Sequence, residues 1–108
     1  MSVQLPKAIA TYLAAENTDD LDALAACFAA DAIVRDERRT FEGLAAIRDW
    51  KAESKKKYHH TVEPIDATEK DGKTIVTTKV SGNFPGSPIK LQYIFGLDGG
   101  KIASLDIR

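Results

Sequence analysis

Asp36 closes a short β-prone run, Ala32-Ile33-Val34-Arg35, and Tyr12 lies on the apolar side of an amphipathic stretch near the start of the chain. A carboxylate and a phenol are the two groups needed to move a proton next to a carbonyl. One acts as base near the carbon, and the other donates to the oxygen where charge develops. Each residue also has a plainer reading. Tyr12 fits a core tyrosine with its hydroxyl at an edge, and Asp36 fits a solvated turn with Glu37-Arg38-Arg39. Arg35 and Arg38 bear on the choice, because a nearby cation stabilises a carboxylate and weakens it as a base. Arg38 at the mouth of a pocket would instead favour an acidic ligand.

Other reactive side chains point to less. His59 and His60 are adjacent, and adjacent strand residues face opposite ways, so they are poorly placed to share one metal ion. No metal and no cofactor are expected. Cys27 sits among alanines with no base nearby in the sequence, which suits a buried structural thiol. Lys55-Lys56-Lys57 has no interleaved aromatics and reads as a helix end rather than a nucleic-acid site.

These residues need elements to hold them. Leu5, Ile9, Tyr12 and Leu13 share one face of a first helix, with Pro6 tolerated in its first turn. Asp19 and Asp20 begin a second, with Asp22 in its first turn and Leu21, Leu24, Ala25 and Phe28 forming the apolar stripe. After a charged loop, Gly43 can cap a third helix from Leu44 to about Ser54. Ile47 and Trp50 would face its core side, and Arg48, Asp49, Lys51 and Glu53 its wet side.

From His59 the pattern changes to strands. Asp71-Gly72 marks a tight hairpin, and Gly99-Gly100 leads into a last strand, Ile102 to Ile107. Between them, Ile89, Leu91, Tyr93, Phe95 and Leu97 line one face of a strand, with Lys90, Gln92, Ile94 and Gly96 on the other. Three helices followed by a strand meander predict an α+β domain, with helices on one face of an antiparallel sheet.

The composition sets outer bounds. The 108 residues suit one domain, residues 1–108, able to bury roughly two-thirds of its unfolded surface. With 44% hydrophobic and 29% charged residues the chain reads as an ordinary soluble protein. A net charge of −1 gives no pull toward nucleic acid or an anionic membrane. No apolar run reaches the roughly 20 residues of a membrane span. MSVQLPK lacks the features of a signal peptide, and a lone cysteine excludes an internal disulfide, so the cytoplasm is the expected compartment.

Several of these segments carry a resemblance. Tyr12-Leu13-Ala14-Ala15-Glu16-Asn17, Asp20-Leu21-Asp22, Phe28-Ala29, Asp31-Ala32, Gly43 with Ala45-Ala46-Ile47-Arg48, and Gly100-Lys101-Ile102 resemble the nuclear transport factor 2-like superfamily. Its members include ketosteroid isomerases and SnoaL-like polyketide cyclases. The resemblance implies a cone-shaped fold, three N-terminal helices packed on a curved antiparallel sheet, with an internal pocket. It also implies roles. Tyr12 matches the tyrosine that donates to the substrate oxygen, and Asp36 matches the proton-shuttling aspartate. The second acidic donor of the isomerases falls on Tyr93, or on Gln92 with a one-residue slip.

Under this resemblance Tyr93, Trp50, Phe95, Leu91 and Arg38 are the expected substrate-binding residues, with Trp50 fitting core or pocket wall better than a recognition element. The expected function is cofactor-independent acid–base chemistry, an isomerase, cyclase or dehydratase acting on a small apolar carbonyl compound. The alternative is a non-catalytic ligand-binding or dimeric interaction domain. The resemblance also implies a homodimer formed through the outer face of the sheet, where Thr77 and Ile94 stand with Lys79 and Lys90.

Overall fold

Helix α1 (Lys7–Thr18) buries Ile9, Tyr12, Leu13, Ala15 and Glu16 along one side. The computed structural model describes residues 5–18, 20–36 and 38–108, Tyr58 by its backbone alone. Asp19, Glu37 and the first four residues therefore lie outside the described residues. Helix α2 (Leu21–Ala26) starts at Asp20, whose carboxylate accepts from the backbone N–H of Ala23 at 3.0 Å, satisfying one orphan donor of the first turn. The chain then enters β1 (Phe28–Asp36), longer than the short run expected because it begins at Phe28.

The supposed charged loop is a turn followed by a strand. β2 (Arg39–Glu42) pairs antiparallel with the end of β1, matching Val34 with Phe41 and Asp36 with Arg39. Arg38 makes the turn at φ 65°, and Gly43, at φ 85°, bends the chain into α3 (Gly43–Tyr58). A side chain at Gly43 would be strained in that conformation, which explains the glycine. The helices are thus not contiguous at the N-terminus, because β1 and β2 come between α2 and α3.

β3 (Thr61–Lys70) and β4 (Lys73–Ser81) form the hairpin expected at Asp71-Gly72, with both turn residues at positive φ, 53° and 77°. β5 (Ile89–Asp98) and β6 (Lys101–Ile107) complete the sheet in the order β2-β1-β6-β5-β4-β3. All neighbours are antiparallel except β1 and β6, which run parallel. The sheet is therefore mixed: β6 returns beside β1 and joins the N-terminal part of the chain to the meander. Register shifts at Phe28/Ile33, Pro64/Asp66 and Gly96/Leu97 bend the strands, and the six-stranded sheet is curved.

The helices cover its inner face. Val76, Thr78 and Val80 of β4, Tyr93 and Phe95 of β5 and Leu105 of β6 are buried there. Tyr12 lies among them, edge-on to Phe28 and Phe95 with ring centres 5.6 Å away in each case. Asn17 joins α1 to β3 by two hydrogen bonds with the backbone of Val62. It donates to the carbonyl at 2.9 Å and accepts from the N–H at 2.8 Å. Among the described residues, no helix is long and apolar enough to cross a membrane.

Candidate active site

Asp36 is the last residue of β1, where the strand leaves the sheet beneath α3. Trp50, on the buried side of α3, donates its indole N–H to Asp36 Oδ2 at 3.1 Å. Phe41 of β2 packs beside the indole with ring centres 5.8 Å apart, so the hairpin and the helix fix the donor together.

Beside this carboxylate lies a cavity of about 270 Å³. Its polar lining comes from Asp36, Lys51, Ser54, His60 and Tyr93. Val80, Phe84, Pro85, Ile89, Leu91 and Ile107 supply an apolar wall. An apolar hollow with a few convergent polar groups is the usual form of a small-molecule site. The wall comes mostly from β4, β5 and the loop between them, and the polar lining from β1, α3, β5 and His60 in the link between α3 and β3.

Behind the polar wall is a buried ionic cluster. Lys51 Nζ lies 2.5 Å from Glu16 Oε1, and the two side chains are only 2% and 0% exposed. His60 Nε2 stands 3.1 Å from the same oxygen. Burial alone would raise the Glu16 pKa. The Lys51 charge and hydrogen bonds from His60 and Lys51 outweigh it and hold the carboxyl at about 2, below its usual 4.5. Lys51 also sits over the ring of Trp50, 4.1 Å from its centre, and 5.8 Å from the centre of Tyr12. Both ring faces favour a cation.

The two tyrosines are phenols rather than phenolates. Burial, then the Glu16 charge, pushes Tyr12 and Tyr93 well above the ordinary tyrosine range, and the Asp36 charge adds to both. Tyr93 lines the cavity. Tyr12 does not: its hydroxyl is buried and completes no hydrogen bond of good geometry among the described residues.

A family profile of the SnoaL-like domain matches residues 9–105. The chain belongs to the SnoaL-like family. Among solved structures, a candidate polyketide cyclase from Sinorhizobium meliloti is 41% identical, with a TM-score of 0.93 over 96% of this chain and 95% of that one. Two more distant structures share the fold. One, from Catenulispora acidiphila, has a ketosteroid isomerase-like fold and was solved with trimethylamine. It is 21% identical, TM-score 0.83, over 97% of this chain and 86% of that one. The other, a candidate polyketide cyclase from Xanthomonas campestris, is 20% identical, TM-score 0.80, over 93% and 85%. No curated protein matches the sequence.

Within this SnoaL-like chain the expected site residues are divided. Asp36, Tyr93 and Leu91 line the cavity. Trp50 holds Asp36 from behind, and Phe95 is fully buried in the ring cluster with Tyr12. Arg38 is exposed in the β1–β2 turn and is not among the lining residues. Gln92, the alternative to Tyr93, is exposed on the outer face.

Two expectations need correcting. Lys51 is not on the wet side of α3, because it follows Ile47 by four residues and so shares its core-facing side. His59 and His60 precede β3 rather than lying in it. His59 ends α3 in a left-handed conformation, while His60 turns inward to Glu16. Cys27 is buried, as expected, and its thiol lies 3.3 Å from the Ala23 carbonyl oxygen. Among the described residues no three His, Cys, Asp or Glu side chains group as metal ligands would.

Proposed function

We propose that this chain takes a small, largely apolar carbonyl compound and moves a proton on it, as an isomerase, cyclase or dehydratase does. One observation carries the reading: Asp36 stands at the cavity wall with one oxygen engaged by Trp50. A carboxylate fixed in this way is positioned to take a proton from a carbon acid and return it elsewhere. Tyr93, a neutral phenol on the same wall, is a donor for a substrate oxygen, and Leu91 and Ile89 supply apolar contact. Family membership supports the class of chemistry and leaves the substrate open.

Deuterium exchange into small cyclic ketones, followed by NMR, tests this reading and does not require the natural substrate. Asp36→Asn keeps the shape and removes the base. Exchange should fall by about 10²–10⁴, the usual contribution of such a group. Equal exchange in the folded variant and the parent would overturn the role of Asp36.

A second reading is a ligand-binding domain without catalysis. It is favoured by the position of Tyr12, the residue paired with Asp36 by resemblance, which is sealed in the aromatic cluster away from the cavity lining. Ketones that bind the parent but exchange no faster than in free solution would select it.

A further inference from the structure

Lys51 and Glu16 form an ion pair in the interior, and the stability of the fold does not account for it. Withdrawing two charges from water is costly, and apolar residues of similar volume are often as stable or more so. Their placement supplies a reason. Glu16 stands behind the cavity wall, whereas Lys51 and His60 are part of it. Glu16 is held by both neighbours through one oxygen, and it anchors the lysine at a fixed point. An ammonium carries three N–H donors. Among the described residues Lys51 gives one hydrogen bond, to Glu16, so donors remain for a molecule in the cavity.

We infer that Lys51 is a further catalytic residue, binding the substrate oxygen that becomes negative while Asp36 takes the proton from the neighbouring carbon. Glu16 and His60 are its positioning residues. The inference rests on the acid–base reading of Asp36 and adds a substrate class to it: a small enolisable carbonyl compound, its carbonyl oxygen directed to Lys51 and its α C–H to Asp36. In the step, the electron pair of the C–H bond becomes the C=C bond and the carbonyl π pair moves onto oxygen. The proton goes to the Asp36 carboxylate, and Lys51 remains an ammonium throughout. Reprotonation by Asp36 at another carbon completes an isomerisation with no other reactant. A preplaced charge where negative charge develops is among the strongest contributions an active site can make.

The probe is 4-nitrophenol, a small planar molecule whose acidic oxygen stands in for the enolate and whose ionised form is coloured. The parent should bind the phenolate about tenfold or more in preference to the phenol, since charge-assisted hydrogen bonds are roughly twice as strong as neutral ones. Lys51→Met should lose that preference and Lys51→Arg should keep part of it. Asp36→Asn should keep or strengthen it, since a like charge is removed, while losing ketone exchange, so the two roles can fail separately. A folded Lys51→Met protein that still prefers phenolate overturns the inference. Should Lys51→Met not fold, ¹⁵N NMR of the Lys51 ammonium in the parent decides: a shift on titration with nitrophenolate supports the inference, and an unmoved signal overturns it.

Discussion

The indole N–H of Trp50 reaches Asp36 Oδ2 across 3.1 Å and ties the middle of α3 to the end of β1. The bond orients the carboxylate that faces the cavity. Trp50→Phe keeps a ring beside Phe41 and Lys51 but removes the donor. Ketone exchange should drop more than tenfold while urea denaturation registers a loss of about 1.5–3 kcal/mol, the worth of a hydrogen bond to a charged group. An unchanged exchange rate would separate Trp50 from the chemistry.

Glu16 makes acid sensitivity predictable. Its folded pKa is about 2 against an ordinary 4.5, so the carboxylate favours the folded state above the higher value. That contribution should fade as pH falls from about 4.5 and be gone below about 2. Glu16→Gln should flatten this part of the stability–pH curve. It should also cost roughly 3–5 kcal/mol at neutral pH by leaving Lys51 buried without its partner. Urea midpoints measured between pH 2 and 7 check both statements.

Tyr12 and Tyr93 should respond differently to the loss of a hydroxyl. Tyr12→Phe deletes a buried oxygen beside the Glu16 carboxylate whose contact falls short of full hydrogen-bond geometry, so stability should change by less than about 1.5 kcal/mol. Its exchange rate should change little. Tyr93→Phe alters the cavity wall and should lower exchange. A large loss of exchange in Tyr12→Phe would place that hydroxyl in the reaction despite its position.

Phe95 is fully buried against Tyr12 and Tyr93. Phe95→Ala should cost about 3–5 kcal/mol, measured by thermal or urea unfolding. A loss under 1 kcal/mol would mean that the ring cluster is not the centre of the core.

We propose also that two copies pair through the outer face of the sheet. Ile75, Thr77 and Ile94 are half-buried there, and Lys79 opposite Lys90 sets an ionic limit to the patch. Light scattering at micromolar concentration should give a dimer, and Ile94→Glu should give a monomer. A monomeric mass for the parent counts against the proposal.

Much of the fold was legible because the apolar spacing and the turn residues agree. Ile9, Tyr12 and Leu13 are buried along α1, Asp71-Gly72 makes its hairpin, and Asp36 ends its strand. β2 escaped notice because four residues, two of them charged, give too little alternation to stand out beside a turn. The ionic cluster escaped for a different reason: Glu and Lys on a helix are usually solvated. A signal was present in the spacing. Glu16 follows Ile9 by seven residues and Tyr12 by four, and Lys51 follows Ile47 by four, so each charge occupies a core-facing position on its own helix. The approach of α1 to α3, which pairs those charges, is a tertiary fact that periodicity along one segment does not contain.

The parallel pairing of β1 with β6 bears on how the protein comes into being. Phe28 is matched with Ile102 and Val34 with Leu105, partners separated by most of the sequence. Within the sheet, the β1 side of the cavity, with Asp36, is joined to the β5 side, with Tyr93, through β6. On a ribosome, the helices and the first hairpin emerge well before the strand that unites them. Contacts of such long range carry a loop-closure cost that precedes their reward, which makes them slow to form. The cavity is therefore a late product of folding, and a nascent chain halted before β6 would hold Asp36, Lys51 and Tyr93 without the enclosure they line.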